Sequence, residues 1–344
     1  MLARPRRSVL YIPGSNLKAL AKAASLPADA LILDLEDSVA PDAKIAARAQ
    51  VLEAVKGGFA GQEVVIRVNG PHTPWGPDDL VAAAKAGPDA ILLPKVDGAG
   101  AVMLAARILR ENGAPERTRL WAMMETPNAI LNAGQIAAVA ADSASRLAVM
   151  VMGLNDLAKE TRARLTPGRP IMIAWLAGCA VAARAHGIDI IDGVYNDIKD
   201  LDGFRAECVQ GRDLGLDGKT LIHPSQIDIC NEVFAPTRTE VESARAIIDA
   251  FALPENAGRG VIQLNGKMVE LLHADMARRT LAIADAITGS LRSPSPGLSR
   301  GLRGEEPAAG TRPGADGSGR ALAGQGDPPV AQAKDGSKRE GLGL

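Results

Sequence analysis

Cysteine is scarce in this chain of 344 residues: Cys179, Cys208 and Cys230 are odd in number and show no C-x-x-C spacing. That argues against both a disulfide framework and a structural zinc site, and fits a reducing, cytoplasmic setting. Aromatic residues make up only 3%, too few for a platform on which nucleic-acid bases stack. A charge excess of either sign is missing too, with 39 Lys and Arg against 40 Asp and Glu. No overall field draws the protein to nucleic acid or to a membrane, so a charged ligand must be met locally. The longest nearly uninterrupted apolar run, Ile171 to Ala183, falls short of the ~18 to 20 residues of a membrane span and reads as a buried helix. The basic start, Arg4 to Arg7, reaches Pro13-Gly14 before the apolar region of a signal peptide could develop.

What the chain does have is glycine (36 residues) and alanine, the composition of closely packed helices. Eight short apolar runs stand out: Ser8-Ile12, Ala30-Leu35, Glu63-Val68, Ala90-Pro94, Leu120-Met124, Leu147-Met152, Ile188-Val194 and Thr220-Ile222. Helical, Ala-rich stretches such as Asn16-Ala24, Lys44-Val55, Pro77-Ala86 and Gly98-Asn112 separate them. Continuous rather than alternating apolar runs are those of parallel strands covered on both faces. Eight such units, spaced by about 30 residues, predict an α/β protein of the (β/α)8 TIM-barrel class. A doubly wound open sheet is the alternative, although no G-x-G-x-x-G opens a helix near the start.

The barrel is expected over residues 1–235. Two further helical segments, Glu240-Phe251 and Met268-Ile287, flank a Gly-rich stretch, Ala257-Gly266, and form an extension over 236–290 suited to covering a barrel end or reaching a neighbouring subunit. From 291 to 344 the chain is Gly, Pro and Ser-rich without an apolar period, a low-complexity tail expected to be disordered.

In a parallel barrel, active-site groups stand where strands end and loops begin. The polar residues at those places are Asp34, Glu36, Asp37, Arg67, Asn69, Lys95, Asp97, Glu125, Asn155, Asp156 and His223. So many carboxylates around one mouth require a cation. Oxygen donors without paired His or Cys favour Mg2+, with Mn2+ possible, over zinc. Glu125 and Asp156 follow adjacent strands and can reach one ion, though each could equally serve a helix start or a loop ion pair. Arg67 ends an otherwise apolar strand, where a guanidinium needs an anion: a substrate carboxylate or enolate, or an internal pair with Glu36 or Asp37. The turn Tyr11 to Asn16 leads from strand to helix and could offer backbone amides, Gly14 among them, to a phosphate.

Seven segments occur in order: Arg7-Ser8-Val9-Leu10-Tyr11-Ile12-Pro13-Gly14-Ser15, Leu33-Asp34-Leu35-Glu36-Asp37-Ser38-Val39-Ala40-Pro41-Asp42-Ala43-Lys44, Ile66-Arg67-Val68-Asn69-Gly70, Leu93-Pro94-Lys95, Met124-Glu125-Thr126-Pro127, Gly153-Leu154-Asn155-Asp156-Leu157 and Ile222-His223-Pro224-Ser225-Gln226. As a set, over about residues 4 to 288, they resemble the citrate lyase beta subunit-like CoA ester lyases of the HpcH/HpaI aldolase superfamily. The resemblance implies a TIM barrel assembled as a homotrimer or homohexamer, with Mg2+ on Glu125 and Asp156. It further implies Arg67 binding substrate and stabilising an enolate, Glu36 and Asp37 orienting metal-bound waters, and Tyr11 and Lys22 contacting CoA.

The implied reaction is Mg2+-dependent cleavage of the C2–C3 bond of a malyl-CoA-like or citramalyl-CoA-like thioester. The products are acetyl-CoA or propionyl-CoA and a 2-oxo acid. Two alternatives stand beside it: a malyl-CoA thioesterase, and a citrate lyase beta-type subunit acting on an acyl-carrier-bound substrate. The chain departs from the pattern in two places. Asn16 stands where malyl-CoA lyases carry an arginine for the CoA phosphates, with Lys18 a nearby substitute. Glu270, in Gly266-Lys267-Met268-Val269-Glu270, stands where those lyases supply an acid/base aspartate from a neighbouring subunit.

Overall fold

A computed structural model describes residues 4–292 apart from residue 60. Eight parallel strands close into a barrel: β1 (Ser8–Pro13), β2 (Ala30–Asp34), β3 (Glu63–Arg67), β4 (Ala90–Leu93), β5 (Arg119–Met124), β6 (Leu147–Met152), β7 (Asp189–Asp192) and β8 (Gly218–Leu221), with β1 paired to both β2 and β8. Each expected strand is present. Several are a residue or two shorter at their ends, where backbone groups turn to loop contacts such as the Leu35 amide donating to the Arg67 carbonyl.

Alternate residues divide the strands between two apolar cores. Val9, Ile32, Val65, Leu92, Trp121, Met123, Val149, Val151 and Ile191 fill the barrel. Their neighbours Leu10, Leu31, Leu33, Ile66, Ile91, Leu120, Met150 and Ile190 pack outward on the helices. Because both faces are buried, the strands read as unbroken apolar runs. The N-terminal end of the barrel is closed by ion pairs: Arg6 donates to Glu63 at 2.7 and 2.9 Å and to Asp189 at 2.5 Å, and its guanidinium lies over the Trp121 ring. That leaves the opposite end for function.

Two expectations need correction. The Ala257-Gly266 stretch and the start of the last helical segment form a hairpin, β9 (Val261–Leu264) and β10 (Lys267–Glu270), before a helix over Leu271–Arg292. Asn265 and Gly266 both have positive φ, 52° and 77°, the backbone that a tight two-residue hairpin turn requires. The apolar run from Ile171 lies in a helix, Pro170–Ala185, that is buried on one face only: Met172, Leu176 and Ala183 are inside, while Ile171 and Val181 are exposed. The segment expected to be a disordered tail lies outside the described residues from 293 onward. Among the described residues no helix is long and apolar enough to cross a membrane.

Candidate active site

Seven charged side chains gather at the C-terminal mouth because strand ends and the loops that follow them place them there. Asp34 and Arg67 are the last residues of β2 and β3 and stand opposite each other in register. Arg67 donates through Nε to Asp34 Oδ1 at 2.6 Å and through Nη2 to Asp34 Oδ2 at 2.7 Å. Its remaining nitrogen, Nη1, lies 3.0 Å from Glu36 Oε2 and 3.3 Å from Asp37 Oδ2. The internal ion pair expected for Arg67 thus exists, but its main partner is Asp34. The guanidinium also stacks on Tyr11, 4.8 Å from the ring centre.

Asp34 organises the loop after β2. It accepts from the Glu36 amide at 2.9 Å and from the Ser38 amide and hydroxyl at 3.1 and 2.5 Å. Buried Lys44 fastens the same loop through the Leu35 and Glu36 carbonyls, at 2.9 and 2.7 Å. Glu36 is therefore held against the mouth. Burial alone would raise the Asp34 carboxyl, but the Arg67 guanidinium outweighs it and holds Asp34 below the usual range. Glu36 behaves in the opposite way. Burial, together with the charges of Glu125, Asp37 and Asp34, pushes it up to about 8 against the pull of Arg67.

Glu125 follows β5, and Asp156 stands in the first turn of the helix Leu154–Thr161 after β6. Glu125 is fully buried. The Lys95 amide donates to its Oε1 at 2.7 Å, whereas its Oε2 accepts no hydrogen bond. Close approach of backbone makes room for it: a Cβ on Gly153 would lie 2.5 Å from Glu125 Cβ and 2.8 Å from its Oε2. The Lys95 ammonium bridges the two acids, 2.6 Å from Asp156 Oδ1 and 3.5 Å from Glu125 Oε1. Burial and the charge of Asp156 raise the Glu125 carboxyl, while Lys95 opposes the rise.

These oxygens fit a divalent ion. An unpartnered buried carboxylate oxygen and a second acid already converge on one cationic position, and Mg2+ characteristically takes one or two carboxylates with water completing its shell. Among the described residues no group of three or more His, Cys, Asp or Glu is arranged to hold a metal. Glu125 and Asp156 are the candidate protein ligands, with water left to complete the shell.

The remaining expectations divide. Gly14 does not offer its amide to a ligand: the N–H donates to the Asp34 carbonyl at 2.8 Å, and a Cβ there would meet the same oxygen at 2.6 Å. Gly14 serves the close approach of β1 to β2. Asn16 caps the following helix, Leu17–Ala23, accepting from the Ala19 amide at 3.0 Å. Lys18 and Lys22 are exposed on that helix. Tyr11 points into the barrel against Arg67 and Met123, not outward toward them. His223 is tied into its own turn, its Nδ1 accepting from the Ser225 amide.

Glu270 makes no hydrogen bond or ion pair with Arg67, Glu125 or Asp156. The helix it leads into pairs instead with the other end of the barrel, Arg279 reaching Asp217 at 2.9 Å and Asp189 at 3.6 Å. Asp34 and Lys95 stand at strand ends in the sequence, but nothing local to either names its partner.

The family model for HpcH/HpaI aldolase/citrate lyase matches residues 7–224. A (3S)-malyl-CoA thioesterase of Cereibacter sphaeroides is 51% identical over 286 residues, covering 83% of this chain and 96% of that protein. The citrate lyase subunit beta of Escherichia coli K12 is 38% identical over 290 residues, covering 82% and 94%. Among solved structures, CitE of Mycobacterium tuberculosis in complex with magnesium, acetoacetate and coenzyme A superimposes with a TM-score of 0.66 at 28% identity, covering 83% of this chain and 100% of that one. With a closed eight-stranded barrel, an acidic pair and an arginine at its mouth, and relatives matched along almost their whole length, the chain belongs to the HpcH/HpaI aldolase/citrate lyase family of enzymes.

Proposed function

We propose that the chain acts on a CoA thioester of the malyl-CoA type, with Mg2+ held by Glu125 and Asp156, and that it hydrolyses the thioester to the free hydroxy acid and CoA. The observation that carries the reading is the convergence of Glu125, Asp156 and Arg67 on one mouth. The 51% identity to (3S)-malyl-CoA thioesterases favours hydrolysis over carbon–carbon cleavage. When bound, the metal supplies a Lewis acid for carboxylate and carbonyl oxygens.

The chain's own residues do the rest. Arg67, locked by Asp34 and Tyr11, presents Nη1 as a fixed cation to the oxygen that gains negative charge when the thioester carbonyl is attacked. Glu36, against Arg67 Nη1 and pushed up to about 8, is the candidate to accept the proton of the attacking water in its ionised form, which gains population toward pH 8, and exposed Asp37 to orient that water. The C–S bond then breaks, and the thiolate takes up a proton as CoA. Lys22 and Lys18 provide surface charge for the CoA phosphates, and Tyr11 borders the acyl end.

Cleavage of C2–C3 is the second reading. It is favoured by the same arginine, which would serve an enolate equally well, and by the citrate lyase relatives. It needs an acid/base, and Glu270 can be one only from a neighbouring subunit. Exposed apolar residues around it, Met268, Leu271, Leu272 and Met276, support a trimeric or hexameric assembly. Malyl-CoA incubated with Mg2+ separates the readings: hydrolysis releases malate and free CoA, whereas cleavage releases glyoxylate and acetyl-CoA. Failure to turn over any free CoA ester, with activity on a carrier-bound acyl group, would overturn both.

A further inference from the structure

We propose that Lys95 is a built-in counter-cation of the metal site, holding Glu125 and Asp156 together when no divalent ion is bound and competing with that ion for the same two acids. The inference rests on the assignment of Glu125 and Asp156 as metal ligands.

Its geometry has two parts. Lys95 lies just past the end of β4 with φ of 51°, a left-handed conformation that is uncommon for a residue with a side chain. That backbone aims the Lys95 amide at Glu125 Oε1, 2.7 Å away. The side chain then returns to the same acid from the other direction. Its ammonium nitrogen is screened from solvent and lies 2.6 Å from Asp156 Oδ1 and 3.5 Å from Glu125 Oε1. An ion bound by both acids, through these oxygens or through the unpartnered Glu125 Oε2, would stand close beside this ammonium.

Two cations held against the same pair of acids repel each other, so loading favours withdrawal of the ammonium. The lysine stem has four flexible carbons, and the amide bond to Glu125 does not depend on where its tip lies. Exchange therefore needs a side-chain rotation only. Until it occurs, Lys95 spares a fully buried carboxylate the cost of facing a second acid without a cation. The consequence is a divalent site weaker than its two carboxylates alone would make it.

A structural brace and a competitor have opposite signatures. Loss of a brace loosens the two acids and weakens metal binding, whereas loss of a competitor tightens it. The test is equilibrium titration with Mn2+, counting free ion by its electron paramagnetic resonance signal, on wild type, Lys95→Met and Lys95→Asn. Asparagine tolerates the left-handed backbone, which guards against misfolding of the methionine variant. The expected result is a Kd for Mn2+ lower by roughly tenfold or more in both variants, because the pair lies between exposed and buried ion pairs in strength. Their melting temperatures without metal should also fall below that of wild type, with a larger rise on adding Mn2+. Wild-type binding that neither variant tightens overturns the role of Lys95 and leaves the metal assignment standing. Absence of Mn2+ binding in all three proteins overturns the metal assignment and this inference with it.

Discussion

Asp34 and Arg67 face each other across neighbouring strand ends and share two parallel hydrogen bonds of 2.6 and 2.7 Å, both groups being buried. The pair fixes the guanidinium before any substrate arrives. Replacing Asp34 by Asn keeps the shape but leaves a buried cation with weaker partners, which should cost about 3–5 kcal/mol of stability. Turnover should fall as well, by a factor of about 10²–10³, mostly in kcat, since a misaimed Arg67 fails chiefly in the transition state. Denaturant unfolding and steady-state kinetics on Asp34→Asn check both; unchanged kcat would mean that Arg67 needs no clamp.

The acids at the mouth set a pH dependence opposite to that of most carboxylates. Glu36, pushed up to about 8, and Glu125, also raised, hold protons in the folded chain that the unfolded chain releases at about 4.3. The unfolded state therefore binds fewer protons in this window, and these groups lower stability as pH rises from about 4.3 through about 8. Asp34 and Asp192, both held low, act in the ordinary direction, and their contribution is lost only as pH falls below the normal carboxylate range. A divalent ion takes the ionised carboxylates. Scanning calorimetry should accordingly show a larger rise in Tm with Mg2+ at pH 8 than at pH 5.5; an equal or smaller rise at pH 8 would contradict this. In Glu36→Gln the metal-free decline between these values should be shallower.

Gly153→Ala adds one methyl where Glu125 Cβ, Glu125 Oε2 and Met123 Cε already lie within 2.9 Å of it. Glu125 has nowhere to withdraw to, since it is fully buried. Overpacking of this kind costs about 1–3 kcal/mol. The telling readout is a loss of Mg2+ affinity larger than that stability change would cause, measured by calorimetric titration. Native affinity with lowered stability would show that the crowding is relieved elsewhere.

Glu270 belongs to the hairpin and helix attached to the far end of its own barrel. If it serves a neighbouring mouth, chains carrying Arg67→Ala and chains carrying Glu270→Ala, each poorly active alone, should regain part of the activity when coexpressed. Mixed assemblies with no gain over either parent would remove Glu270 from the reaction.

Strand ends were legible because a barrel strand buried on both faces admits polar residues only where it stops, and that rule alone located Arg67, Glu125 and Asp156. Partners were harder to read. Asp34 to Arg67 requires the strand register, and the Lys95 amide to Glu125 requires a left-handed backbone at a residue that rarely adopts one. Gly14 was misread because a Gly after a strand suggests a free amide, whereas here strand contact consumes it. The buried network of Arg169, Asp192, Glu207 and Lys219 left no local trace, since its members come from separate elements. Asn265-Gly266 was different: the signal for a hairpin stood in the sequence, hidden by the glycines around it.

On the proposed function, thioester turnover depends on a divalent ion gripped by Glu125 and Asp156. Malyl-CoA turnover should disappear in enzyme stripped with EDTA, return with Mg2+, and stay absent with Mg2+ in folded Glu125→Gln. Full activity in the stripped enzyme, or in that variant, would contradict the claim.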